Sequence, residues 1–245
     1  MFLAGALAAA SPTAAQTSGS GGASTQIWTN AVLDYPHGKQ ALFELGIEPK
    51  TQVSEGEWRS VEVTPLAEYY PLPWLDLEGE MHFARTHQSE GTDSWEVTPR
   101  LGFRTNIFSN LREHEGRAGR LFNRIRIATL IRFEYRNLHY SDDTPSSHKW
   151  RFRARLETKA GITHADVSKD GTLYATADFE VYVPLTGDVS ERFANKLRTR
   201  AGLGYRFDYR WRGEILYVRD SNRKTKDDPF ATSTNALDMR VKVFF

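Results

Sequence analysis

Arginine and glutamate recur at alternate positions through much of this chain, a spacing that sets them on one face of an extended strand. Arg124, Arg126, Arg132, Glu134 and Arg136 alternate with Ile125, Ile127, Thr129, Ile131, Phe133 and Tyr135. Arg151, Arg153, Arg155 and Glu157 alternate with Trp150, Phe152, Ala154 and Leu156. Arg198, Arg200 and Arg206 alternate with Leu197, Thr199, Leu203 and Tyr205. Further polar faces carry Glu78 and Glu80, then Glu96, Arg100 and Arg104, and then Glu180. A dry core does not hold arginine at this density, because each unpaired buried charge costs several kcal/mol. The charged face meets water or a matched set of carboxylates, and the apolar face meets lipid or another sheet. In a water-filled lumen the arginine rows favour anionic solutes and the acid rows set up a field across the passage. In a narrow barrel the same charges pair and fill the interior, as side chains just do at about eight strands.

Catalytic and metal chemistry is thin by comparison. Most of the seven histidines fall in turns or loops, and Ser146 and Ser147 beside His148 are the nearest serine–histidine pairing. A triad is defined by geometry and not by adjacency, no GxSxG is present, and the chain is expected not to be an enzyme. With no cysteine, no HExxH and no EF-hand loop, no metal and no cofactor is expected. Asp142-Asp143 and Asp227-Asp228 read as solvated turn acids. Gly202 and Gly204 lie inside a strand pattern, where glycine marks a bend or close packing.

The elements that must carry these faces are strands. Eleven segments qualify: 27–35, 41–50, 58–70, 74–87, 94–108, 120–138, 147–163, 172–184, 195–208, 210–220 and 234–245. Most exceed the roughly five to six residues of ordinary sheets and approach the roughly 9–11 that cross a bilayer at a tilt. Tyr35 to Lys39, Tyr70 to Pro73 and Phe207 to Tyr209 are tight connections. Thr51 to Glu57, Thr86 to Asp93, Tyr140 to His148, Thr186 to Asn195 and Asp220 to Thr234 are longer and polar. Short turns at one rim and longer loops at the other is the layout of bacterial outer-membrane barrels; the segments 109–119 and 164–171 fall on the short side yet are not tight. Aromatics gather near strand ends (Trp28, Tyr35, Trp58, Tyr69, Tyr70, Trp74, Trp95, Trp150, Tyr209 and Trp211), as interfacial girdles do.

Composition sets outer limits. The 245 residues suffice for one large β-domain, and the net charge of +1 gives no case for nucleic acid. Mean hydropathy is −0.54, but averaging hides membrane strands, in which apolar and polar residues alternate. Residues 1–15 read as a signal peptide without a positive n-region, and 16–26 as a Gly/Ser-rich lead-in to a barrel over 27–245.

The last strand carries the sharpest signal. Met239, Val241, Val243 and Phe245 share one face and Asp238, Arg240 and Lys242 the other. With these residues the chain resembles bacterial outer-membrane β-barrels, whose final strand is read by the insertion machinery. Arg240 stands where that signal carries glycine. More narrowly, Gln26-Ile27-Trp28-Thr29-Asn30 and the Arg198–Arg206 strand resemble those of a family of uncharacterised outer-membrane barrels of unknown function. The resemblance implies a Gram-negative outer-membrane location, with outer-membrane lipids and the barrel assembly machinery as partners; it implies no activity.

The expected fold is all-β: a single antiparallel up-and-down transmembrane barrel. Single-chain bacterial barrels use an even number of strands, so about twelve are expected, with ten as the alternative. The expected function is a passive channel for small polar or anionic solutes through an Arg-rich lumen. A non-conducting structural or adhesive barrel, a membrane-embedded lipid-modifying enzyme and a soluble periplasmic binding barrel are the alternatives. Alternation alone does not say which face is inside.

Overall fold

The computed structural model describes residues 22–54, 58–87, 93–107, 124–142, 144–186 and 194–245. The segment read as a signal peptide lies outside them. Eleven strands follow in chain order: β1 Ser24–His37, β2 Ala41–Gln52, β3 Arg59–Leu72, β4 Leu75–His87, β5 Asp93–Asn106, β6 Ile125–Tyr140, β7 Ser147–Gly161, β8 Thr172–Pro184, β9 Lys196–Arg206, β10 Trp211–Asn222 and β11 Ala231–Phe244. Each coincides with a segment read from alternation, with ends displaced by a few residues.

Each strand pairs antiparallel with its neighbours in sequence, and the sheet closes through β1 against β11. That closing pair is parallel, running from Ser24↔Thr234 to Asp34↔Phe244. In an up-and-down sheet the first and last strands point the same way when the count is odd, so a parallel seam accompanies eleven strands. Eleven, among the described residues, falls between the expected twelve and the ten kept as alternative. Parallel pairs are slightly weaker per residue. Here the seam runs eleven residues and ends with the Phe245 amide donating to the Asp34 carbonyl at 3.0 Å.

The two mouths differ. Turns 38–40, 73–74 and 207–210 lie at one, the short-turn mouth, where β5 and β7 also end. Gly38 enables the first turn with φ +66°, a region that glycine enters without steric cost. Asp208 builds the third, its Oδ1 accepting from the amides of Arg210 and Trp211 at 2.7 and 2.8 Å. β2, β4, β6, β8 and β10, which lead into the five connections that read as long, all end at the opposite, long-loop mouth.

Alternation meets closure by turning the apolar face outward. Leu101, Leu203, Ile215 and Val241 are exposed on the outer surface, whereas Glu134, Glu180 and Asp238 are essentially inaccessible inside. Apolar burial is correspondingly slight; among the described residues the one cluster is Trp28, Val218 and Ala236. Two members of the expected aromatic girdle belong inside instead. Trp28 is buried, and Tyr70 lines the lumen and donates to Glu68 at 2.5 Å. Both carry a polar atom that finds a partner there, since Trp28 Nε1 donates to Gln26 Oε1 at 2.8 Å. Tyr35, Tyr69, Trp74, Tyr209 and Trp211 remain exposed at the short-turn end, and Trp95 and Trp150 at the long-loop end.

Candidate functional site

Period-two geometry on eleven strands aims every second side chain at one axis, and the lumen is built from these. β4 brings Glu78 and Glu80, β5 brings Glu96, Arg100 and Arg104, and β6 brings Arg126, Arg132, Glu134 and Arg136. β7 adds Arg151, Arg153, Arg155 and Glu157, β8 adds Glu180, and β9 adds Arg198 and Arg200. Arg206 stands at the short-turn mouth, its Nε 3.4 Å from Asp170. Arg124 lies just ahead of β6 and donates to the carbonyls of Gly161 and Ile162 at that rim, so its charge closes a turn and does not line the cavity. Met239 and Val241 point outward, and Phe245 is exposed at the short-turn rim.

The charges interlock around the wall. Arg132 spans from β6 to β4, giving Nε and Nη2 to Glu78 Oε2 at 2.9 and 2.7 Å and Nη1 to Glu80 Oε2 at 2.8 Å. Arg100 also meets Glu80, and its Nε lies 3.1 Å from Glu134. Glu134 is wholly buried and takes Arg151 and Arg153 at 2.5 Å each. Arg153 continues to Glu180 at 2.7 Å, and Arg155 joins Glu180 to Glu157. Arg200 binds Asp178 through Nε at 2.8 Å, and Arg198 holds Asp220 with two parallel bonds of 2.7 and 2.8 Å. These are charge-assisted, partly bidentate contacts, the kind that repays desolvation of buried ions.

Positive charge stands further into the lumen than negative. The cavity is lined by sixteen Lys and Arg against eleven Asp and Glu. Five more inward acids (Glu78, Glu134, Glu180, Asp220 and Asp238) have side chains at most 5% exposed, pair with arginine or lysine, and are not among the lining residues. Arginine is the longer side chain, so pairing on one wall leaves its head nearer the axis. The arrangement is also lopsided. β1–β4 contribute Asp34, Glu44, Glu62, Glu68 and Asp76 and a single lining cation other than histidine, Lys50. The other fifteen lining cations lie on β5–β11.

Some contacts cut across the lumen. Lys159 on β7 reaches Glu214 on β10 at 3.1 Å, where the Tyr174 hydroxyl donates to the same oxygen at 2.7 Å. Arg198 on β9 stands 5.0 Å from the centre of the Trp28 ring on β1, and Lys50 stands 4.5 Å from the same ring. A cavity of about 780 Å³ persists beside them, from Lys50, Arg136 and Lys196 toward the long loops to Asp76, Arg126 and Phe244 toward the short turns. Arg151 to Lys159 is roughly 26 Å of strand, about 20 Å along the axis at the usual tilt. Spread over that height, the cavity of about 780 Å³ averages about 40 Å² in section, room for ions and small solutes only.

A family model described as "Protein of unknown function (DUF2490)" matches residues 25–231, the greater part of the barrel. The chain belongs to that family. No curated protein matches the sequence. The DUF2490 match ends as β11 begins, so the strand with the insertion-like pattern lies outside it.

The contacts around Ser146, Ser147 and His148 divide between two histidine rings. Ser146 Oγ meets His139 Nδ1 at 2.9 Å, while Asn137 Oδ1 pairs with a different ring, His148 Nδ1, at 2.8 Å. A nucleophile, base and orienter in series would need one histidine to serve both contacts. Asp142 and Asp228 accept from the amides of Thr144 and Thr225, and no cluster of three metal-ligating acids or histidines occurs among the described residues; Asp143 lies outside them. Sequence reasoning passed over the inward residues of β1–β3. Lys242 joins Asp34 and Glu44, and Lys50 joins Glu48 and Glu62, at 2.5–3.0 Å. The signal was available in the spacing of Glu44, Glu48 and Lys50 on even positions of β2.

Proposed function

We propose that this chain is an integral outer-membrane barrel whose lumen passes small polar solutes, anions in preference to cations. One observation carries the reading: the usual partition is inverted, with leucine, isoleucine and valine outside and an arginine–carboxylate lining around a cavity inside. A water-facing outer surface of that composition would be an aggregation liability, whereas lipid accepts it. Guanidinium groups standing nearer the axis than their carboxylates support anion preference in a chain whose formal charge is only +1. On this reading the protein is not an enzyme, and its loops carry no catalytic step.

The test is a planar-bilayer recording of the refolded barrel under a potassium chloride gradient. The expected result is a small stepwise conductance with a reversal potential toward the chloride equilibrium value. Silent bilayers containing folded protein would refute passage. They would favour the second reading, a closed barrel, for which the Lys159–Glu214 contact across the lumen is the supporting observation.

A further inference from the structure

Between β7 and β8 the hairpin pairing runs on to Ile162 and Thr163, whose amides bond to the Leu173 carbonyl at 2.8 and 3.3 Å, and the loop beyond them, residues 164–171, is not a tight turn. It folds across the short-turn mouth and buries Val167 there. Arg126 holds it from the lumen wall, giving Nη2 to Asp166 Oδ1 at 2.5 Å and to Ser168 Oγ at 3.2 Å. The Gly171 amide bonds to the Arg206 carbonyl at 2.8 Å, with Gly171 at φ +72°. Beneath the segment lies a second pocket of about 190 Å³. Five cations line it (Arg104, Arg126, Lys159, Arg206 and Arg212) with one carboxylate, Glu157. Asn106 and Ser168 add neutral polar groups.

Four of the five cations have an acid at hand. Arg104 lies 3.3 Å from Glu157, Arg126 2.5 Å from Asp166, Lys159 3.1 Å from Glu214 and Arg206 3.4 Å from Asp170. Arg212 makes no ion pair among the described residues; its guanidinium stands 5.2 Å over the Phe244 ring, with the neutral Tyr174 hydroxyl as its polar neighbour. A guanidinium with five donors, enclosed among four other cations and facing a ring, is poised for an external acceptor. Asp166 and Asp170 are more than half exposed, so their hold on Arg126 and Arg206 is weak and open to exchange.

We propose that this pocket is a binding site for a small oxyanion, with Arg212 as its principal ligand and Arg126, Lys159 and Ser168 as supporting donors. The size admits a phosphate- or carboxylate-sized group with part of its water and excludes a nucleotide. The inference deepens the anion-passing reading by placing a stopping point at one mouth. It does not depend on passage, because a closed barrel can still hold the ion.

The experiment measures binding of inorganic phosphate to the folded barrel in a zwitterionic detergent by equilibrium dialysis at low and moderate salt. Wild type and Lys39→Gln, which removes a charge from an exposed turn at the same mouth, are expected to bind one phosphate saturably, more weakly as salt rises. Arg212→Gln is expected to bind about tenfold more weakly or worse, the scale of losing a charge-assisted contact, with Arg212→Lys in between. Heat-modifiable gel mobility establishes that each variant is folded. The proposal is overturned if folded wild type shows no saturable binding, if chloride at equal concentration displaces phosphate completely, or if Arg212→Gln binds as wild type does. Since no current is measured, an empty site and a non-conducting lumen give separate results.

Discussion

Glu134 is the acid on which the lumen network converges, and its neutralisation gives the sharpest test of the ionic wall. The side chain is wholly buried and touches three guanidinium groups: Arg151 and Arg153 at 2.5 Å and Arg100 at 3.1 Å. Glu134→Gln keeps size and one acceptor but turns an amide NH₂ toward arginine donors. Arg100 retains Glu80 and Arg153 retains Glu180, whereas Arg151 has no second acid among the described residues. One partly buried arginine is therefore orphaned and two are weakened. Breaking a buried pair costs roughly 3–5 kcal/mol, and water in the adjoining cavity moves the expectation to the lower end, roughly 3 kcal/mol. The assay is guanidinium unfolding of the refolded barrel in lipid, followed by tryptophan fluorescence. Adding Arg151→Gln removes the orphan, and the double variant should recover about 1–2 kcal/mol relative to additivity. A Glu134→Gln barrel within about 0.5 kcal/mol of wild type, with no coupling to Arg151→Gln, would mean that lumen water solvates each group alone. The ion-pair account of the interior would then fail.

Three further outcomes are expected. Leu203→Arg, on the exposed outer face, should cost roughly 2–4 kcal/mol near the bilayer midplane and deplete the heat-modifiable form in outer-membrane fractions; wild-type yield would mean that this face does not meet lipid. Gly204 packs under Tyr174, and a Cβ there would fall 2.3 Å from the ring. Gly204→Ala should therefore displace the ring from Glu214 and lower stability by about 1–3 kcal/mol, whereas Gly46→Ala, whose Cβ meets nothing closer than 3.8 Å, should be nearly silent in the same unfolding assay. Deleting residues 224–229 from the connection after β10 should leave gel mobility unchanged, and loss of the folded form would show that this loop helps to hold the barrel.

The strands were legible because their polar faces are so charged. Where arginine alternates with isoleucine, as along β6, no other period fits; β1, whose inward face carries a single charge at Asp34, has no such stretch. Alternation is symmetric between the faces, so sidedness had to come from the closed sheet. Closure also set what no local pattern contains: the parallel seam and the reach of Arg132 from β6 past β5 to Glu78. Trp28 and Tyr70 were misplaced because residue type was weighed above position parity: both are even-numbered on strands whose even positions face inward. Residues 164–171 stood out only as a short-side connection that is not tight, and nothing in the stretch said whether it turns at the rim or covers it.

The parallel seam has a consequence for sidedness. A barrel with an even number of passes returns its chain to the side from which it started. This one does not: β1 begins at the long-loop mouth and β11 ends among the short turns. Reporters fused ahead of Ser24 and after Phe245 would sit in different compartments of any cell whose membrane holds the barrel. A protease or impermeant label added from outside would reach only one of them. The two ends thus serve as a built-in compass, from which the orientation of both mouths can be read without knowing what passes between them.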